Sequence, residues 1–211
     1  MGKIQKSEYA IKNITTQQQL DAALDLEERI FDIANAQRSP QYSREKWTER
    51  MDCHSDLMLY ADAGGFCVGI VFGRIESDNI VIGPVAIDKN FRGRGIARKL
   101  MLEIEKRAPN HGIFKLSLGS VKDAEGFYQK LGYTGCLLIQ SEKHSIDELL
   151  AYNDKYSKYG VIKTNLHDGI VNQVFLDLTM PNRKFQRKYE NALPGCHTQM
   201  VFGKILTNTK I

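Results

Sequence analysis

The run Arg92-Gly93-Arg94-Gly95-Ile96-Ala97 holds the residue types that bind a phosphate-bearing ligand. It follows an apolar, β-branched stretch over residues 80–87. It opens a helical stretch in which Ala97, Leu100, Met101, Ile104 and Ala108 share one face. The first N–H groups of a helix have no partner within it, and the helix dipole adds about half a positive charge at that end. Gly93 and Gly95 permit positive φ and let a ligand come close to the backbone. Lys89, Arg92, Arg94, Arg98 and Lys99 crowd residues 88–99, opposed only by Asp88. Together these parts make a pyrophosphate cradle. Two other phosphate loops do not fit. The pattern G-x-x-x-x-G-K-[ST] is absent, and in G-x-G-x-x-G the third glycine would fall on Arg98.

The elements that must hold this loop are legible on both sides. Residues 9–15 read as a strand. The polar turn at Thr15, Thr16 and Gln17 opens a helix with Leu20, Ala23, Leu24, Glu27 and Ile30 at helical spacing. Pro40 closes that region. Ser43 reads as an N-cap, with Lys46 at N3, for a short helix through Met51. Strands follow at 57–61, 66–75 and 80–87, separated by Gly64-Gly65 and by Ser77-Asp78-Asn79. Pro84 lies inside the third strand, so a local break is expected near Pro84 and Val85. Beyond the loop, Pro109 ends the helix and residues 113–118 form a strand. Ala124, Phe127, Tyr128 and Leu131 then repeat at helical spacing up to Gly132, which suits a helix C-terminus. Residues 133–140 are a further strand.

The chain has 211 residues, 42% hydrophobic and 26% charged, with a formal charge of +4. That composition builds a core without disulfide or metal. The charge is too small for a broad nucleic-acid face; residues 1–135 are nearly neutral, with 19 Lys+Arg against 18 Asp+Glu, yet carry one basic loop, which points to a local anion site. Cys53, Cys67, Cys136 and Cys196 show no metal-ligand spacing and read as free thiols of a reducing compartment. His144, His167 and His197 fit no zinc template, and no metal site is expected. No run nears the ~18 apolar residues of a membrane helix, and no apolar signal core opens the chain, so a soluble cytoplasmic protein is expected.

Arg92-x-x-Gly95-x-Ala97, after the strand residues Val85, Ala86 and Ile87, resembles the acyl-CoA-binding motif of GNAT acetyltransferases. The stretch Gly126-Phe127-Tyr128-Gln129-Lys130-Leu131-Gly132-Tyr133 resembles the family's second motif, at the expected distance downstream. The resemblance spans residues 9–141. It implies an α+β fold with a mixed, mostly antiparallel, splayed sheet flanked by helices. It implies acetyl-CoA as co-substrate, with pyrophosphate on the amides of Arg92, Gly93, Arg94, Gly95, Ile96 and Ala97, and the pantetheine arm along Val85 and Ile87. Tyr128 is the implied partner of the departing thiolate, and the reaction is direct attack of a neutral amine on the thioester. Two departures stand out. Many members place a glutamate on the strand before the loop, but residues 80–87 hold no carboxylate; Glu28, His54 and Glu76 are the candidate bases, each better suited to a solvated surface. Asp123 stands near where an asparagine is often found and would serve as a helix cap. The missing carboxylate keeps open a second function, a non-catalytic acyl-CoA-binding regulator. Gly126 costs about 1 kcal/mol against alanine in mid-helix, which points to a close neighbour there.

Residues 1–141 are thus read as the catalytic domain, and 142–211 as a C-terminal extension or insertion. From residue 135 on, the order is strand, helix, strand, strand, helix, strand, which suits a ferredoxin-like layer. The Asp168-Gly169 pair signals a hairpin. The last strand, 198–206, completes either sheet. The basic group Arg183, Lys184, Arg187 and Lys188 reads as a solvated helix face. Acceptor binding, a lid over the cleft or a homodimer contact are all open uses of this part. The acceptor itself is an amine, either a small molecule or a peptide, with no nucleic-acid or membrane partner expected.

Overall fold

A computed structural model describes residues 9–32, 40–156 and 159–207. The chain divides into two compact units. One runs to Leu116 and takes back the chain from Ile205; the other spans Ser117–Lys204.

In the first unit the strands β1 (Ala10–Asn13), β2 (Met58–Ala63), β3 (Phe66–Glu76) and β4 (Asn79–Ile87) pair in sequence order, each antiparallel to the next. Helices α1 (Gln17–Phe31) and α2 (Arg44–His54) lie between β1 and β2, and α3 (Ile96–Arg107) follows β4. Local chemistry sets the helix starts. Thr16 and Gln19 form a reciprocal capping box on α1, and Ser43 caps α2 by accepting from the Lys46 amide at 3.3 Å.

Strand alternation divides the packing between two faces. Met58, Tyr60, Ile70, Phe72 and Ala86 join Leu20, Ala23 and Leu24 of α1 and Trp47 of α2 in one core. The opposite face carries α3. A Cβ at Gly69 would lie 2.7 Å from Ile87 Cδ1 and 3.0 Å from Ile96 Cγ2, so a glycine in β3 lets α3 and the end of β4 close onto the sheet.

The second unit contains the sheet order β5-β9-β6-β8-β7, where β5 is Lys115–Ser120, which begins in the first unit, β6 Thr134–Ser141, β7 Val161–His167, β8 Val171–Leu176 and β9 Cys196–Ile205. A short helix, α4 (Glu125–Lys130), precedes β6. Helix α5 (Ile146–Tyr156) joins β6 to β7, and α6 (Arg183–Ala192) joins β8 to β9. The pairs β6–β9, β6–β8 and β7–β8 are all antiparallel. From β6 to β9 this is the split βαβ arrangement of a ferredoxin-like layer. The strand expected at 198–206 pairs with the whole of β6 through Cys196–Gly203 and neighbours β5 on its other side, so one strand serves both halves of this sheet. The boundary placed at residue 141 falls at the end of β6, inside the second unit. The hairpin between β7 and β8 turns at Asp168 (φ 50°) and Gly169 (φ 74°), with the Ile170 amide donating to the His167 carbonyl at 3.1 Å.

Two local expectations differ. Asp123 does not cap α4; the N-cap is Ala124, with no side-chain bond. A Cβ on Gly126 meets no described atom within 4 Å, so protein packing does not demand a glycine there.

Candidate active site

Gly93 and Gly95 have φ of 75° and 78°, the left-handed region that a side chain resists. Gly95 is the N-cap of α3 and, lacking a side chain, makes no cap bond. The first amides of a twelve-residue helix therefore face outward with the positive end of its dipole. Arg92, Arg94, Arg98 and Lys99 are exposed around them, whereas Ile96 is 1% exposed and anchors the turn in the core. The loop is braced from below. Arg92 Nε donates to the Ile87 carbonyl at 3.3 Å. Arg94 donates to the Asn90 carbonyl at 3.0 Å, with its guanidinium over the Phe91 ring. Asp88, the lone acid of this stretch, accepts from the Asn90 amide at 2.9 Å and pairs with Arg29 at 3.2 Å. Its charge is thus largely offset by a residue of α1, and the loop keeps its basic character.

β4 is irregular where Pro84 predicts. Val85 pairs with Val71 and Ile82 with Gly73, so Gly83 and Pro84 have no register partners on β3. Trp47, fully buried, lies beneath this bulge: a Cβ on Gly83 would come within 3.2 Å of the indole, which also meets Phe72 edge-on at 4.9 Å between centroids. The Ile87 side chain lies over Gly69.

Tyr128 belongs to the second unit. It is 6% exposed and packs among Phe127, Tyr133 and Phe202 at centroid distances of 5.1, 6.1 and 5.8 Å. Burial pushes its phenol up to about 12, so it stays neutral and a hydrogen-bond donor throughout the physiological range. Three thiols are pushed the same way by burial: Cys67 and Cys196 to about 11, and Cys136 upward. A thiol so shifted is a poor nucleophile near neutrality.

The family model for the acetyltransferase (GNAT) domain matches residues 15–147, most of the chain. The chain belongs to the GNAT family. An acetyltransferase of Pectobacterium atrosepticum is 29% identical over 138 residues, which are 64% of this chain and 95% of that protein. Two solved structures share the fold. An acetyltransferase structure from Pyrococcus horikoshii is matched at TM-score 0.56 and 10% identity, over 98% of this chain and 92% of the other. The alanine N-acetyltransferase of a ribosomal protein from Escherichia coli is matched at 0.50 and 15%, over 83% and 97%.

Within this GNAT domain the three candidate bases are all engaged elsewhere. Glu28 shares Arg44 with Asp21 and Asp25, Glu76 pairs with Arg74 at 2.6 Å, and His54 stacks edge-on against His111. Glu27, placed by its spacing on the face of α1 that holds Leu20, Ala23 and Leu24, is only 7% exposed, a buried carboxylate that the three candidate bases left out. Trp47 had no place among the candidate residues. A lone tryptophan on a short polar helix marks the side of that helix that must be buried. Among the described residues no helix is long and apolar enough to cross a membrane.

Proposed function

We propose that this GNAT protein transfers an acetyl group from acetyl-CoA to an amine. The observation that carries the reading is the loop of residues 92–97, where two left-handed glycines open an uncapped helix N-terminus ringed by arginines. Such an end recognises a pyrophosphate through amides and dipole. The bulge at Gly83 and Pro84 supports a pantetheine path along β4, with Val85 and Ile87 offering backbone groups.

The amine nitrogen attacks the thioester carbon. A C–N bond forms, the C–S bond breaks, and the sulfur leaves as thiolate. The proton lost from nitrogen passes to water or a base. Tyr128 is assigned to the thiolate as a hydrogen-bond donor. With its phenol near 12 and an ordinary thiol near 8.5, full proton transfer to sulfur would run uphill, so a donated hydrogen bond is the better-matched role. The upward shifts of Cys67, Cys136 and Cys196 favour direct attack over a cysteine acyl-enzyme. A peptide amine heads the acceptor classes to test: the matched Escherichia coli protein is named for an alanine. A structure from Arabidopsis thaliana (TM-score 0.51, 13% identity, over 93% of this chain and 97% of that one) holds an analogue joining coenzyme A to an acetylated peptide.

A second reading, an acyl-CoA-binding regulator without turnover, is favoured by one observation: β4 holds no carboxylate. The deciding experiment offers acetyl-CoA with a panel of peptides, amino acids and polyamines and records thiol release. Release with one acceptor class establishes the transferase. Binding of acetyl-CoA without release from any amine favours the regulator, or an acceptor outside the panel.

A further inference from the structure

The sequence offers no zinc template, yet among the described residues the fold brings one set of metal-ligand side chains together. His54 ends α2, Asp56 lies in the 3₁₀ turn Ser55–Leu57 that follows, and His111 closes the 3₁₀ turn Ala108–His111 after α3. One ligand atom from each lies within 4.8 Å of the other two. His111 Nε2 is 2.7 Å from Asp56 Oδ2, and the two imidazoles meet at 5.4 Å between centroids and 84° between planes. The ligand atoms of a tetrahedral zinc ion lie about 3.4 Å apart, given bonds near 2.1 Å. That value falls between the shortest contact in the cluster and its outer limit.

The scaffold is fixed independently of the cluster. Arg107 donates to the Asp56 carbonyl at 2.6 Å and to Asn13 Oδ1 at 2.7 Å, and Glu103 offsets its charge at 3.0 Å. The second turn is closed by Gly112 in the left-handed region and by the Ile113 amide on the Ala108 carbonyl at 3.2 Å. Both ligand-bearing turns are thus held in place without the histidines, and all three side chains are partly open to solvent.

We propose that His54, Asp56 and His111 form a binding site for a transition-metal dication of the zinc, cobalt and nickel class. Two imidazoles and a carboxylate select these ions over magnesium or calcium, which prefer all-oxygen shells. Three protein ligands leave a position for water. The site lies past the far end of α3, whose twelve residues span about 18 Å from the cradle. Its role is therefore a clip between the end of α2 and the turn after α3, outside acyl transfer.

The test uses tag-free full-length protein stripped with chelator, then titrated with Co²⁺ and Zn²⁺. Co²⁺ should give the strong visible bands of a four- or five-coordinate ion at one equivalent, displaced by Zn²⁺. Zn²⁺ should also raise the melting temperature. Outer-shell changes at metal sites already cost 10–100-fold in affinity. Loss of a ligand in His54→Ala or His111→Ala should therefore weaken binding by more than about tenfold, and the thermal shift should vanish. The wild-type cobalt spectrum decides the case even if a variant folds poorly. Only the weak bands of the aquo ion, or undiminished binding in a folded His54→Ala/His111→Ala protein, would overturn the site.

Discussion

The roles proposed for Tyr128 and the glycines of the loop rest on single-atom chemistry. A leaving-group contact works mainly in the transition state. Tyr128→Phe is therefore expected to lower kcat by about 10-fold or more, in the range of one lost hydrogen bond to a charged group, with little change in acetyl-CoA affinity. Because the phenol sits near 12, the wild-type pH–rate profile should show no limb from this residue below about pH 11. Equal kcat in the variant would return Tyr128 to the aromatic core around Phe202. Gly126 separates ligand from protein as the reason for a glycine. Its Cβ position is empty of described atoms, so Gly126→Ala should raise stability by about 0.5–1 kcal/mol. If acetyl-CoA fills that space, affinity falls at the same time; unaltered affinity measured by calorimetry would remove Gly126 from the binding surface.

At the scale of elements, the cradle is only as good as the strand and helix that present it. The bulge in β4 rests on Trp47, whose indole fills the space beneath Gly83. Trp47→Ala should cost about 3–5 kcal/mol by chemical denaturation, as other large-to-alanine core changes do. A loss under 1 kcal/mol would show that α2 does not support the bulge. The elements were legible where a residue type forces a backbone state. Gly93 and Gly95 announced positive φ, Pro84 announced a break in pairing, and Asp168-Gly169 announced a tight hairpin. They were illegible where the fold brings distant residues together. Asp123 looked like a cap because acids cap helices, yet the N-cap of α4 lies one residue later, at Ala124. His54, Asp56 and His111 share no spacing rule, since 55 residues separate Asp56 from His111 and only the ends of α2 and α3 join them.

For the whole molecule, the pattern of strands and helices after residue 135 announced a ferredoxin-like layer. Strand order did not follow from pattern alone, because nothing in 198–206 says that β9 will lie between β5 and β6. The second unit also hides a charge. Glu125 is 4% exposed and paired with Arg183 at 2.5 Å, although Arg183 read as one of four solvated cations on α6. Arg183→Ala strands that carboxylate and should cost about 2–3 kcal/mol, below the full penalty of a buried pair because Arg183 is one-third exposed. Lys184→Ala, on the same helix, serves as the neutral control. In the first unit, a hydrogen bond from Lys12 holds the Asp62 carboxyl below its usual range, and Lys115 does the same for Asp78. A depressed folded value means stability that is present above the unfolded carboxylate range, near 4, and is lost as pH falls through the folded value. Thermal unfolding from pH 7 to 2 should show that loss, and Asp62→Asn should flatten it.

If residues 92–97 hold the pyrophosphate of acetyl-CoA, as proposed, calorimetric titration of acetyl-CoA reports that contact. The wild-type protein should bind one equivalent. Arg92→Ala and Gly95→Glu, on an exposed loop, should keep the wild-type circular dichroism and lose that binding. A wild type that binds no acetyl-CoA, or a folded Gly95→Glu protein that binds it as tightly as wild type, would rule out the cradle.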